Sequence, residues 1–345
     1  MTKNKKNPLV APFFIGNLEL RSNIFCSPLA GCSDLPFRRM INRYKPGLFF
    51  CEMVKMDALV RHDNLTYRIL DYDGEMHPTA AQICGSKAKL AAPAAKIVED
   101  LGFDLVDLNC GCPVDKVTGD GSGSALLKTP DLIGEIVCNM VAAVKIPVTI
   151  KIRVGWDESS INATEIVKIA EAAGAKAIFV HGRTRAQAYR GPAVWERIAA
   201  CKAAAKTIKV FGNGDIFSAD KAVEMFEQTG CDGFLVSRGS FGQPWIFEDI
   251  ERKFLALPPI QRSGWDIKEA LLAHMAEIIS YRNERRAVTD MRRVSCWFLK
   301  PARGAKKLRE MLASAKRIDE IALLLETFDW NEVAIGNFEE ASFTQ

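Results

Sequence analysis

No uninterrupted apolar run in this chain approaches the roughly 18 residues that a helix needs to cross a bilayer. The opening 1–8 stretch is polar and basic, and only a short apolar stretch follows it, which reads against a signal peptide. Dense cysteine spacing is missing as well. Ten Cys are spread over 345 residues, so the chain does not read as a disulfide scaffold. Cys26, Cys51 and Cys84 fall in hydrophobic, strand-like runs, where they are expected as small buried side chains. Strong charge bias is absent: 46 Lys plus Arg face 42 Asp plus Glu, for a net of +4. With 48% hydrophobic residues, the composition excludes intrinsic disorder and supplies a sizeable core. No Gly-x-Gly-x-x-Gly follows the first strand-like run, so a dinucleotide fingerprint of that type is lacking. These absences point to a soluble, cytoplasmic protein with no membrane partner and no structural metal.

From about residue 20 to 240, short runs rich in Val, Ile, Leu and Phe end in Gly, Pro, Asn or Asp, and helix-like segments follow them. Eight strands are expected, at 23–29, 48–54, 79–84, 105–109, 148–153, 177–181, 208–212 and 233–237. Their continuous apolar character suits parallel strands covered on both faces. Helices are expected at 89–101, 131–144, 163–173 and 220–229, with Thr129 capping the second, Pro130 in its first turn, and Gly230 as a left-handed stop after the last. Eight βα units over this length match an α/β fold of the (β/α)8 TIM-barrel type, although periodicity alone leaves an open doubly wound sheet possible. After Pro258-Pro259 the pattern turns helical, at 267–282, 291–299 and 303–312, with two or three short helices across 289–328. The expected division is a catalytic barrel over 1–255 and a small all-helical C-terminal domain over 260–345.

In a barrel, function gathers at the C-terminal ends of the strands. There the sequence places Ser27 through Gly31, Glu52, Gln82, Asn109, Lys151 with Arg153, His181 with Arg183, Asn213-Gly214-Asp215, and Ser237-Arg238-Gly239. Each has a plain structural reading as a cap, bridge or turn. Together they read as one polar rim. Asn213, Gly214, Asp215, Arg238 and Gly239 follow strands seven and eight, where barrels commonly bind phosphate through close backbone N–H groups and an arginine fork. Lys151 suits an electron-rich ring, and Gln82 with Asn109 suits the polar edge of a planar group. A flavin mononucleotide leads the candidates. The Cys110-Gly111-Cys112-Pro113 run fits neither the spacing of a zinc site nor that of a redox dithiol. It suits one thiol exposed at the rim. A free Cys with a pKa of about 8.5 is mostly protonated at neutral pH and can act as a general acid; the plain alternative is an inert turn cysteine.

Several segments in order carry a family resemblance. They are Ser27 through Asp34 with Pro36-Phe37-Arg38, Asp107 through Pro113, Lys151-Ile152-Arg153, His181 through Arg185, Gly212 through Ile216, and Arg238-Gly239 with Pro244-Trp245. The chain resembles the bacterial-type, FMN-dependent tRNA-dihydrouridine synthases from about Ser27 to Phe247, and more weakly in the tail. The resemblance implies reduction of uridine in tRNA to 5,6-dihydrouridine, with FMN as cofactor and NADPH as reductant. It implies Cys112 as the general acid at C5. Pro28, Leu29 and Ala30 would line the flavin, with Gln82, Lys151 and His181 at its ring or ribityl region and Asn213, Gly214, Asp215, Arg238 and Gly239 around its phosphate. Asn109, Lys116 and Arg183 would engage the substrate. Val294 follows Arg292-Arg293 where many members carry His, and Pro301 stands where Gly is common.

The tail carries its own signal. Between Arg282 and Arg309, ten basic residues face only Glu284 and Asp290, a net of +8. Such a block suits a phosphate-binding face, with Arg292, Arg293, Lys306 and Lys307 as candidate tRNA contacts. Trp297 and Phe298 would stack on bases or, as is commoner for helix-face aromatics, pack in the core. Two other readings compete: a flavin barrel acting on a small dihydropyrimidine-like molecule, and a non-catalytic RNA-binding barrel.

Overall fold

The computed structural model describes residues 13–338; the 1–8 segment and the final residues 339–345 lie outside the described residues. Eight parallel strands run in chain order: β1 (Ile24–Cys26), β2 (Leu48–Phe50), β3 (Thr79–Cys84), β4 (Leu105–Cys110), β5 (Val148–Arg153), β6 (Ala177–His181), β7 (Lys209–Asn213) and β8 (Gly233–Val236). Each pairs with the next, and β8 returns to β1 through Phe234 with Ile24 and Val236 with Cys26. The sheet therefore closes, which removes the open doubly wound alternative. Nearly every strand residue is buried, as expected when the sheet lines a core on one face and carries helices on the other.

Two strands are shorter than their apolar runs. β1 stops at Cys26 because Pro28 has no N–H to continue the ladder. The 48–54 run is broken after Phe50 and resumes at Val54–Lys55, which pairs with Ile83 and Cys84 of β3. The break frees Glu52, whose carboxylate accepts the Gly31 N–H at 2.8 Å.

The barrel helices are α1 (Leu35–Asn42), α2 (Met56–Val60), α3 (Ala91–Asp100), α4 (Pro130–Ala143), α5 (Ala163–Ala172), α6 (Trp195–Ala204), α7 (Ala219–Thr229) and α8 (Ile246–Phe254). Asp34 caps α1 by accepting the Phe37 N–H. Pro130 opens α4 as expected, but the Thr129 side chain makes no capping bond; its hydroxyl turns back to the Leu126 carbonyl. Gly230 ends α7 at φ +62°.

A hairpin of Phe13–Ile15 and Leu18–Leu20, not foreseen from the sequence, lies over the N-terminal end of the barrel. Its Ile15 and Leu20 join Phe25, Phe50, Phe179 and Phe211 in one apolar cluster inside the strands. Phe25 and Phe211 approach to 4.8 Å between ring centroids, and Phe179 and Phe211 to 5.1 Å.

Four helices follow: α9 (Gly264–Tyr281), α10 (Glu284–Leu299), α11 (Lys306–Ser314) and α12 (Ile318–Thr327). A capping box of Ser263 and Asp266 starts α9, which packs along α1. Trp297 of α10 stacks on Phe241, with ring centroids 4.2 Å apart and planes 5° from parallel. Gly242 lets the backbones meet there, since a Cβ would lie 2.0 Å from the Trp297 carbonyl oxygen. No helix among the described residues is long and apolar enough to cross a membrane.

Candidate active site at the strand C-termini

The strand ends open into a cavity of about 740 Å³, within the range of small-molecule and cofactor sites. Pro28, Leu29 and Ala30 form its wall beyond β1, Gln82 enters from β3, and Asn109 with Cys112 and Lys116 from β4 and its loop. Lys151 projects from β5 and His181 from β6. Asn213, Gly214 and Asp215 follow β7, and Arg238 and Gly239 follow β8. Seven strand ends thus bring residues that lie up to 211 positions apart in sequence, Pro28 and Gly239, to one space.

The loop after β4 is held from both sides. Asn109 Oδ1 accepts the N–H groups of Gly111 (3.1 Å) and Cys112 (2.9 Å). The Cys112 carbonyl accepts from Ser124 N–H and Oγ, at 3.0 and 2.8 Å. Arg153 donates from Nε to the Gly111 carbonyl and from its fork to Thr184 and Ala188 carbonyls. The two cysteines of the motif part here. Cys110 is fully buried in the layer between strands and helices, while Cys112 faces the cavity. Burial pushes the Cys112 thiol pKa up, with Arg153 and Lys151 partly offsetting it, so the S–H stays protonated at neutral pH.

Charge in the cavity is arranged along its length. Burial, aided by the Arg153 guanidinium, pulls the Lys151 ammonium down to about 8. Burial and the neighbouring Arg153 and Lys151 charges hold His181 well below its ordinary value, so its ring is neutral. At the β7–β8 end, Arg238 lies 3.5 Å from Asp215 and 4.3 Å over the Tyr189 ring. Glycine is required at this end: a Cβ on Gly214 would meet His181 Cδ2 at 2.9 Å, and one on Gly239 would sit 1.9 Å from the Ile216 carbonyl oxygen.

Arg183, expected to engage the substrate, lies behind the cavity wall with Nη1 3.3 Å from His181 Nε2. It is 3% exposed and spends its fork on the Gly191 carbonyl and on Asp215 at 2.7 Å. It ties the loop after β6 to the end of β7 and is not part of the cavity wall. Tyr189 and Arg190, which no motif signalled, do line the cavity from that loop. Met53, freed by the break after β2, is another wall residue that the sequence left unmarked.

The basic residues of the tail divide. Arg292 donates to the Ala315 carbonyl, and Arg293 donates to the Gly31 carbonyl while lying 3.5 Å from Asp290 and over the Trp297 ring. Both heads are thus engaged with protein groups. Lys306 and Lys307 are exposed at the start of α11. Trp297 and Phe298 are buried, the packing reading of the two that were open. Among the described residues no group of three or more His, Cys, Asp or Glu is placed to hold a metal ion.

The family model described as dihydrouridine synthase matches residues 25–332. The tRNA-dihydrouridine synthase B of Pseudomonas aeruginosa is 39% identical over 300 residues, covering 86% of this chain and 89% of its own. A probable tRNA-dihydrouridine synthase of Rhodobacter capsulatus is 38% identical over 322 residues, covering 93% and 99%. Among solved structures, histamine dehydrogenase from Rhizobium sp. 4-9 superposes with a TM-score of 0.53 at 15% identity, covering 78% of this chain and 51% of that one, a likeness of fold.

Proposed function

Because the chain belongs to the dihydrouridine synthase family, we propose that it reduces specific uridines of tRNA to 5,6-dihydrouridine, with a bound flavin mononucleotide as cofactor and NADPH as the reductant that recharges it. The observation that carries the reading is the Cys112 thiol, protonated and held by its backbone at the wall of a cavity that also presents Lys151.

The residues present fit a phosphorylated, planar group. Lys151 makes no hydrogen bond to the described residues and so leaves its ammonium for a ligand, while Gly214 and Gly239, packed too closely on His181 and the Ile216 carbonyl for a side chain, present bare backbone to the cavity beside Arg238. In this reading Pro28, Leu29 and Ala30 flank the ring, Gln82, Lys151 and His181 address its polar atoms, and Asn213, Gly214, Asp215, Arg238 and Gly239 surround the phosphate. When bound, the flavin supplies the hydride that adds at C6 of the base.

The chain supplies the proton. Cys112 gives its S–H proton to C5, the S–H bond breaking as the C5–H bond forms. The thiolate left behind gains from the Arg153 and Lys151 charges that already lower the thiol pKa. Neutral His181 adds no third positive charge. The basic block of the tail meets the RNA backbone through exposed groups such as Lys306 and Lys307, with Lys116 at the cavity mouth. Arg292 and Arg293 serve this face by fixing α10 instead.

Replacing Cys112 with Ala should leave the yellow cofactor and its affinity intact while slowing dihydrouridine formation by about 100-fold or more, the usual scale for losing a general acid. The check is single-turnover reduction of tRNA by the pre-reduced protein. Turnover within tenfold of wild type would remove Cys112 from the reaction. Dihydrouridine mapping on tRNA from cells lacking the gene, with and without its restoration, tests the substrate itself. Unchanged dihydrouridine at every position would turn the reading toward a small molecule.

A further inference from the structure

Beside the cavity, three register-matched strand positions carry polar side chains on one face of the sheet. Gln82 of β3 pairs with Asp107 of β4, and Asp107 pairs with Thr149 of β5. All three are buried, Asp107 and Thr149 completely. Thr149 Oγ donates to Asp107 Oδ1 at 2.6 Å, and Gln82 Nε2 donates to Asp107 Oδ2 at 2.7 Å. Asn109, two residues along β4 on the same face, donates from Nδ2 to Gln82 Oε1 at 2.8 Å. Its Oδ1 then takes the Gly111 and Cys112 N–H groups.

The direction of this chain is forced. Burial lifts the Asp107 pKa to about 6, so at neutral pH it is mainly a carboxylate, which only accepts, and Gln82 must turn its NH₂ to Asp107 and its carbonyl to Asn109. A backbone N–H only donates, so Asn109 must turn its carbonyl to the loop. An amide turned end for end has nearly the same shape, so packing cannot choose between the two orientations; hydrogen-bond direction can. With the acceptor at 107 removed, the Gln82 NH₂ would be buried without a partner, which costs about 1–3 kcal/mol. Gln82 would escape by swinging toward the cavity. Asn109 would then keep only the weaker Met53 Sδ contact at 3.5 Å for its NH₂, and its carbonyl would be held on the loop by the Gly111 and Cys112 N–H groups without the second anchor at Gln82.

We propose that Asp107 is a positioning residue for Cys112, setting the direction of a buried amide chain through Gln82 and Asn109 that clamps the backbone of the thiol-bearing loop. Its relevance to catalysis rests on the proposed role of Cys112; the clamp itself does not.

The test uses the full chain with its cofactor and reads backbone amide exchange at Gly111 and Cys112, together with kcat and KM for tRNA. Asp107→Leu should speed exchange at both amides tenfold or more and lower kcat at least tenfold, with KM within twofold. Asp107→Asn should restore all of these to within threefold, since its amide oxygen still accepts from Gln82 and its nitrogen can donate to Thr149. Thr149→Val, which cuts the other bond to Asp107 and leaves the chain whole, should leave the exchange unchanged. If Asp107→Leu does not fold, Gln82→Leu removes the middle link and should reproduce the fast exchange. Exchange within threefold of wild type in whichever of these two folds would overturn the proposal, as would an equal effect of Thr149→Val. A Cys112→Ala protein that keeps turnover would sink the reaction role while leaving the exchange data to judge the clamp.

Discussion

Lys151 is a register partner of Asn109 and shares its neighbourhood with Arg153, so its charge is both buried and opposed. Its folded pKa of about 8 lies below its ordinary 10.5. Between those values the unfolded chain binds more protons than the folded one, so this group's contribution to stability rises with pH through that window and is lost as pH falls through 8. Lys151→Met should therefore stabilise the flavin-free protein at pH 7 by on the order of 3 kcal/mol, and the gap should close by about pH 10.5. Urea unfolding of both proteins at the two pH values checks this; a gap independent of pH would mean that Lys151 is charged at no cost. The placement of His181 and Asn213 was legible because a strand's C-terminal residue in a barrel has one place to go, and that of Lys151 because it is two residues short of the end of β5. The burial of Arg183 was not legible, because its charge partner Asp215 lies 32 residues on and joins it only when β6 and β7 pair. Nothing local marked Tyr189: its place beside Arg238 comes from the path of a loop.

At the scale of elements, α10 faces two ways. Val294, Trp297 and Phe298 are buried against the barrel and tail, whereas Arg285, Lys300 and the first residues of α11 face outward. Trp297→Ala should cost about 3–5 kcal/mol of stability by opening a cavity over Phe241. Lys306→Glu with Lys307→Glu should move stability by no more than about 0.5 kcal/mol each while weakening tRNA binding. Thermal unfolding and filter binding of the two variants separate the roles, and a stability loss in the lysine variant comparable to that of Trp297→Ala would place those lysines in the packing. The long elements were readable because an apolar run or stripe recurs over ten or more residues, as in α4 and α5. The hairpin at Phe13–Leu20 was not, since three-residue strands are too short for a period to register. The Ala-rich α6, Trp195–Ala204, likewise offers little contrast between its faces.

For the whole molecule, the basic block makes salt the natural probe. Each phosphate contact released should flatten the slope of log affinity against log salt by roughly 0.7 to 0.9. The double lysine variant should therefore lose about 1 to 2 units of slope, and Arg292→Ala, whose head is bound to Ala315, should lose little. Titrations of tRNA at three salt concentrations would settle which arginines and lysines touch RNA. An equal loss in Arg292→Ala would return that residue to the binding face.

The aromatic plug beneath the cavity has a kinetic meaning. Phe25, Phe50, Phe179 and Phe211, covered by the hairpin, fill the barrel from below, so nothing reaches the strand ends through it. On the proposed reaction a nicotinamide and a nucleobase would then both have to enter from the strand-end side. Where the two share that side, an excess of either would delay its counterpart.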